Sequence, residues 1–157
     1  MRSPTFLVLL SLACVAPGPS PDARPLPGEV VPAERALRLL RPCSRPGPEP
    51  VHGTWQPDSP DIRRLEAGLA GYLRKATYAR PGNGPTYPLA EYRGQFAGFL
   101  QDGAHWVYGA FARQPDAQTR ASAEMCDGGG AYFGIEFNPA TGEYRHLARN
   151  GEGVVNN

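Results

Sequence analysis

The sequence predicts an α+β fold in which one N-terminal helix packs on a four-stranded antiparallel sheet. Apolar residues recur at helical spacing between Pro60 and Ala76, whereas the residues from Tyr92 to Ala148 form short alternating segments separated by turns. Prolines are concentrated before this region: 12 of the 18 lie between Pro17 and Pro60. We therefore expect a signal peptide over residues 1–13, a Pro-rich tether over 14–58 and the α+β domain over 59–157.

The main helix is predicted from about Pro60 to Ala76, because Ser59 can cap it and proline suits its first position. A shorter helix is predicted within the tether, from Pro32 to Leu40, ending before Pro42. The five prolines from residue 46 to residue 60 are expected to prevent regular structure between these helices.

The strands are predicted as two hairpins. The first runs from Tyr92 to Leu100, turns at Asp102-Gly103 and returns from His105 to Ala112. The second runs from Tyr132 to Phe137, turns at 138–142 and returns from Tyr144 to Ala148. One helix followed by four such strands is similar in element order to cystatin-like folds, which implies a helix covering one face of the sheet.

Side chains alternate along a strand, so parity divides the sheet into two faces. The face under the helix is expected to hold Phe96, Val107, Phe111, Phe133, Ile135, Phe137 and Leu147. The opposite, second face is expected to hold Phe99, Trp106, Tyr108, Tyr132, Glu136, Tyr144 and His146. Because one helix covers one face, the second face is the candidate binding face. Three occupants are considered for it: the tether itself, a protein partner or second copy, and a small ligand.

The N-terminus has the organisation of an export signal. Arg2 precedes an apolar run that spans at most 11 residues, from Phe6 to Ala16, which is too short for a spanning helix. Ser11 and Ala13 are small residues placed for cleavage before Cys14. This pattern resembles the signal of small exported bacterial lipoproteins of uncharacterised function, which implies lipidation of Cys14 and a lipid anchor in the cell envelope. Ordinary secretion, without an anchor, is the alternative.

The chain has three cysteines: Cys14, Cys43 and Cys126. If Cys14 is lipidated or removed, two remain in an oxidising compartment, which predicts a Cys43–Cys126 disulfide joining the tether to the domain.

Charge and histidine spacing restrict the function classes. The 16 basic and 15 acidic residues are interspersed, with no long stretch of one charge sign. This argues against nucleic-acid binding and against polybasic docking on a membrane. His52, His105 and His146 have no partner at metal-ligand spacing, so neither a metal nor a cofactor is expected. The string from Asp127 to Gly130 follows no clear strand and opens no helix, so we expect it to form a bulge near the disulfide and not a phosphate loop.

The leading functional hypothesis is an exported, envelope-tethered, non-enzymatic module with a binding or a structural role. The expected partner is another protein or a second copy of the chain. No catalytic residue is assigned in it. The first alternative is a small envelope hydrolase using Glu136 and His146, whose strands a hairpin would make neighbours. The second is an inhibitor or immunity protein against a secreted enzyme.

Overall fold

The computed structural model describes residues 28–78, 87–113, 126, 129–151 and 154–155. The helices are α1 (Ala36–Leu40), which follows a 3-10 turn over Ala33–Arg35, and α2 (Ser59–Tyr78). The strands are β1 (Gly28–Val30), β2 (Gly53–Trp55), β3 (Tyr92–Gln101), β4 (Ala104–Arg113), β5 (Tyr132–Asn138), β6 (Glu143–Arg149) and β7 (Val154–Val155). Cys14 and the residues of the predicted signal lie outside the described residues.

In the described part of the chain, seven strands form one mixed sheet. Its order is β1-β3-β4-β5-β6-β7, and β2 also pairs with β3. The predicted α+β class is confirmed, as are the four strands from β3 to β6, but the sheet does not fit a four-stranded antiparallel, cystatin-like layout exactly. The sheet is larger because two short strands from the predicted tether add to the outer edge of β3, one of them parallel to it, and β7 adds to β6 at the other edge.

The first hairpin forms as its turn residues predict. Asp102 and Gly103 both have positive φ, of 50° and 75°, as the tightest hairpin turns require. β3 and β4 then pair in register from Tyr92 opposite Arg113 to Gln101 opposite Ala104.

Helix α2 covers the first face of the sheet. Its apolar side, including Leu65, Leu69 and Leu73, is buried against strand residues. All seven residues predicted to lie under the helix belong to this core: Phe96, Val107, Phe111, Phe133, Ile135, Phe137 and Leu147. Phe111 and Phe133 stack at its centre, with ring centroids 4.7 Å apart.

The segment from β1 to β2 crosses the second face of the sheet. β1 pairs with residues 94–96 of β3 and β2 pairs with residues 98–100, so α1 lies between two attachments to the same strand. We call residues 28–55 the strap. Residues 28–55, which were expected to belong to the tether, therefore pack against the sheet, and β2 forms between Pro50 and Pro57, where regular structure was not expected. It forms there because three residues are enough for a short edge strand.

Pairing between β5 and β6 is interrupted by a β-bulge. Glu136 lies opposite Arg145 and Gly134 lies opposite Ala148, so β6 has one extra residue in this interval. His146 has a φ of 53° there, which is unusual for a residue other than glycine. The bulge places Tyr144 and Leu147 on the same face, under α2. The prediction that Tyr144 lies on the second face is therefore wrong, because it assumed that side chains alternate without interruption along β6.

Candidate functional site

Much of the predicted binding face is covered by the strap. Ala36, Leu39 and Leu40 of α1 pack in one cluster with Phe99, Trp106 and Tyr108 of the sheet. The exposed fractions of those three aromatic residues are 0%, 5% and 2%. Of the occupants considered from the sequence, the tether is the one that the structure places on this part of the face.

A buried arginine of the strap fixes the Tyr108 hydroxyl. Arg45 donates from Nε to the Tyr108 oxygen at 2.9 Å and from Nη1 to Oδ1 of Asn150 at 2.6 Å. Burial raises the pKa of Tyr108 and the Arg45 charge partly opposes this. Arg45 therefore connects the strap both to β4 and to the segment after β6.

The predicted disulfide is present. Cys43 in the strap is bonded to Cys126, 83 residues later, and both cysteines lie at the surface. Beside it, Ser44 accepts a backbone hydrogen bond of 2.8 Å from Gly151. The strap is thus attached covalently as well as by β-pairing and apolar contacts.

Beyond the strap, the second face carries a cluster of charged side chains. The Glu136 side chain is 3% exposed and both of its oxygens are engaged. Oε2 accepts from Nε of Arg145 at 2.7 Å, and Oε1 lies 3.0 Å from Nδ1 of His146. We call Glu136, Arg145, His146 and Gln101 the polar cluster.

Arg145 is held on three sides. Its guanidinium carbon lies 3.5 Å from the centroid of the Trp106 ring, a cation–π contact. It also donates to the side-chain oxygen of Gln101, whose nitrogen donates to the Glu49 carbonyl of the strap at 2.7 Å. The polar cluster therefore lies directly beside the strap on the second face. Its accessible side chains are those of Arg145, which is 26% exposed, and His146, which is 46% exposed.

Sequence reasoning found Glu136 and His146 because a hairpin makes their strands neighbours. It missed Arg145, Gln101 and Arg45. The signal for Arg145 was its position directly opposite Glu136 in an antiparallel pair, which favours opposite charges. Arg45 and Gln101 carried no local signal, since their partners are 63 and 52 residues away.

The other two predicted face residues do not join the polar cluster. Tyr132 occupies the second face but is 1% exposed. Tyr144 lies on the α2 side, where its ring stacks with Tyr72 at 5.1 Å and its hydroxyl donates to the Leu65 carbonyl. This contact needs a glycine, because a Cβ on Gly68 would stand 2.5 Å from the Tyr144 oxygen.

The remaining histidines are separate from this site. His105 is exposed and meets the Trp55 ring edge-on at 5.0 Å. His52 is exposed on the strap. Within the described ranges, no group of three or more His, Cys, Asp or Glu side chains is placed to bind a metal ion. None of the helices described there is long and apolar enough to cross a membrane.

The predicted glycine string is described only in part. Asp127 and Gly128 lie outside the described residues, whereas Gly129 begins a short 3-10 turn with a φ of 50°.

The polar cluster presents two groups to solvent. One is the Arg145 guanidinium, which packs on the Trp106 ring, and the other is the half-exposed His146 imidazole, whose Nδ1 contacts Glu136. Such a pair can bind hydrogen-bond acceptors, or the imidazole can exchange a proton with a bound group. Comparison with protein-family models, with curated proteins and with solved structures gives no match for this chain.

Proposed function

We propose that the protein is an exported, envelope-tethered, non-enzymatic module that binds a protein partner through the accessible part of the polar cluster. The surface disulfide between Cys43 and Cys126 carries the export argument, because such bonds persist in oxidising compartments. Lipidation at Cys14 supplies the tether.

Arg145 and His146 are both held in place by neighbouring side chains. Trp106 and Glu136 fix Arg145, and the same carboxylate fixes His146, so both groups lose little side-chain entropy when a partner arrives. Arginine is also enriched among the residues that dominate binding energy. The surface fits an acidic or carbonyl-rich partner segment.

The tether is tested by fractionation of cells that express the protein and its Cys14→Ser variant. The expected result is that the protein sediments with membranes, whereas Cys14→Ser is recovered in the soluble fraction. Soluble export of both forms would contradict the lipid anchor.

The binding surface is tested by placing a photo-crosslinking residue at exposed position 143, two residues before Arg145 on the same strand face, or, as the control, at exposed position 52. We expect a defined protein adduct at position 143 that is lost in the Arg145→Gln background. Adducts of equal yield at both positions, or none at 143, would contradict a partner on the polar cluster.

A second candidate function is favoured by the 3.0 Å contact between Glu136 and His146. A carboxylate that orients an imidazole is the usual arrangement of a general base. In an envelope hydrolase, His146 would accept a proton from water while Glu136 positioned the ring. Neither Glu136 oxygen would touch the substrate, because His146 and Arg145 occupy both.

This candidate is tested with chromogenic ester and glycoside substrates. His146→Asn is the suitable variant, since asparagine tolerates the positive φ at this position. Hydrolysis that is lost in His146→Asn and kept in His105→Asn would support the enzyme. Hydrolysis that is equal in both variants would exclude His146 as the base.

A further inference from the structure

Three arginines follow the outer side of the strap helix. Arg35, Arg38 and Arg41 are spaced three residues apart, and each is exposed. Glu34 is the exposed acid of the same turn. The opposite side of α1, with Ala36, Leu39 and Leu40, is buried against the sheet.

The same surface carries an exposed leucine. Leu37 is 47% exposed and is the one large apolar side chain that the described part of the chain leaves open to solvent. An apolar side chain beside cations at helical spacing is the composition of segments that lie on membrane surfaces. We call Arg35, Leu37, Arg38 and Arg41 the strap face.

The strap face also lies close in sequence to the proposed anchor. Residues 15–27 separate Cys14 from the first residue of β1. A Pro-rich chain spans about 3.1 Å per residue when it is extended, so these residues reach roughly 40 Å. A strap held within that distance of a bilayer can touch its surface.

We propose that the strap face docks on the surface of a bilayer containing anionic phospholipid. The guanidinium groups of Arg35 and Arg41 bind lipid phosphates, and Leu37 inserts between headgroups. This inference rests on the lipid anchor proposed above, but it concerns the orientation of the folded protein relative to the membrane. The anchor limits the distance from the membrane, whereas the strap face turns α1 towards the lipid and α2 away from it.

The charge count is consistent with docking as a supplement to an anchor. Three arginines are fewer than the four to eight cations of a segment that holds a protein on a membrane alone. The strap face is therefore proposed to supplement the lipid anchor, because the fold gathers only a small group of cations around one apolar side chain.

The test uses the full chain carrying Cys14→Ser, so that no lipid contributes, and vesicles of either phosphatidylcholine alone or phosphatidylcholine with phosphatidylglycerol. Co-sedimentation is measured for this protein, for an Arg35→Gln/Arg41→Gln variant and for an Arg63→Gln/Lys75→Gln control. The control removes two exposed cations from α2, on the opposite side of the sheet. All three proteins share the same N-terminal residues, so any binding by that segment is common to them.

We expect binding to the anionic vesicles to fall about 25-fold in the strap variant, since each of the two arginines near the surface contributes roughly fivefold. Binding of the Arg63→Gln/Lys75→Gln control to the same vesicles is expected to fall less than threefold. Added salt should weaken the binding of the parent protein. Leu37→Ser is expected to weaken binding severalfold without changing this salt dependence.

Equal binding to both kinds of vesicle, or equal losses in both double variants, would overturn the proposal. Dimerisation without lipid that Leu37→Ser abolishes would also overturn it, because a second copy would then occupy the strap face. A failure of the Cys14→Ser fractionation test leaves these vesicle results unaffected, so the two proposals can fail separately.

Discussion

The ring of Tyr108 in β4 lies across the Cα of Gly134 in β5. A Cβ at Gly134 would stand 2.7 Å from Cζ of that ring and closer still to its hydroxyl oxygen. The ring has little room to move, because the residue is buried beneath the strap and its oxygen accepts a hydrogen bond from Arg45. The strap, the sheet and the glycine are therefore fitted to one another at this point.

Gly134→Ala is expected to lower the free energy of unfolding by about 1–3 kcal/mol, since overpacking a closed site forces neighbours to shift. Urea denaturation measures the change. Gly71→Ala is the matched control: its Cβ would meet only an arginine nitrogen at 4.0 Å, so this helical alanine should stabilise by about 0.5–1 kcal/mol. A neutral result at Gly134 would mean that Tyr108 is loosely held.

Trp106→Ala and Tyr132→Ala are expected to destabilise the protein by about 3–5 kcal/mol, as much as Phe133→Ala. An open second face would make these two substitutions mild, but both side chains are buried there. Thermal melts of the three variants test the coverage, with exposed Glu143→Ala as a control near the parent value. If only Phe133→Ala melts early, the strap does not cover the face in solution.

Replacing both Cys43 and Cys126 by serine is expected to lower the free energy of unfolding by at most about 4.5 kcal/mol, because the bond closes a loop of 83 residues in the unfolded chain. Reduction of the parent protein with dithiothreitol should lower its stability equally. Mass spectrometry of a non-reduced digest should find the linked peptides. Free thiols at both positions in exported protein would remove the covalent attachment of the strap.

Alkaline pH is expected to destabilise the fold. Burial raises the pKa of Tyr72, Tyr92, Tyr108 and Tyr144 above the ordinary value of 10.0. A raised pKa in the folded state favours the protonated phenol, so this stabilisation is complete below pH 10 and is lost as the pH rises further.

Each such group can contribute a slope of up to about 1.4 kcal/mol per pH unit in that range. Urea denaturation at several pH values between 8 and 11 measures the loss. Tyr144→Phe removes one of the four titrating groups and should make the decline shallower. A free energy of unfolding that stays constant across this range would contradict the burial of these hydroxyls.

Local pattern was sufficient for the elements whose residues interact with near neighbours. The apolar spacing after Ser59 predicted α2, and the alternation around Asp102-Gly103 predicted the β3–β4 hairpin, because helix and hairpin periodicity are local properties of the chain. Parity likewise predicted all seven strand residues under α2. The count of cysteines predicted the disulfide without geometry.

The sequence by itself thus determined the α+β class, the core under α2 and the pairing of Cys43 with Cys126. Tertiary structure decided what lies on the other side of the sheet. β1 and β2 are three residues each and exist only because β3 offers an unpaired edge, so no local signal could distinguish them from linker. The extra residue in β6 likewise depends on pairing with β5, and it reversed the predicted face of Tyr144. Arg45 and Gln101 reach their partners only after the chain has folded, because a long-range contact carries no periodicity for the sequence to display.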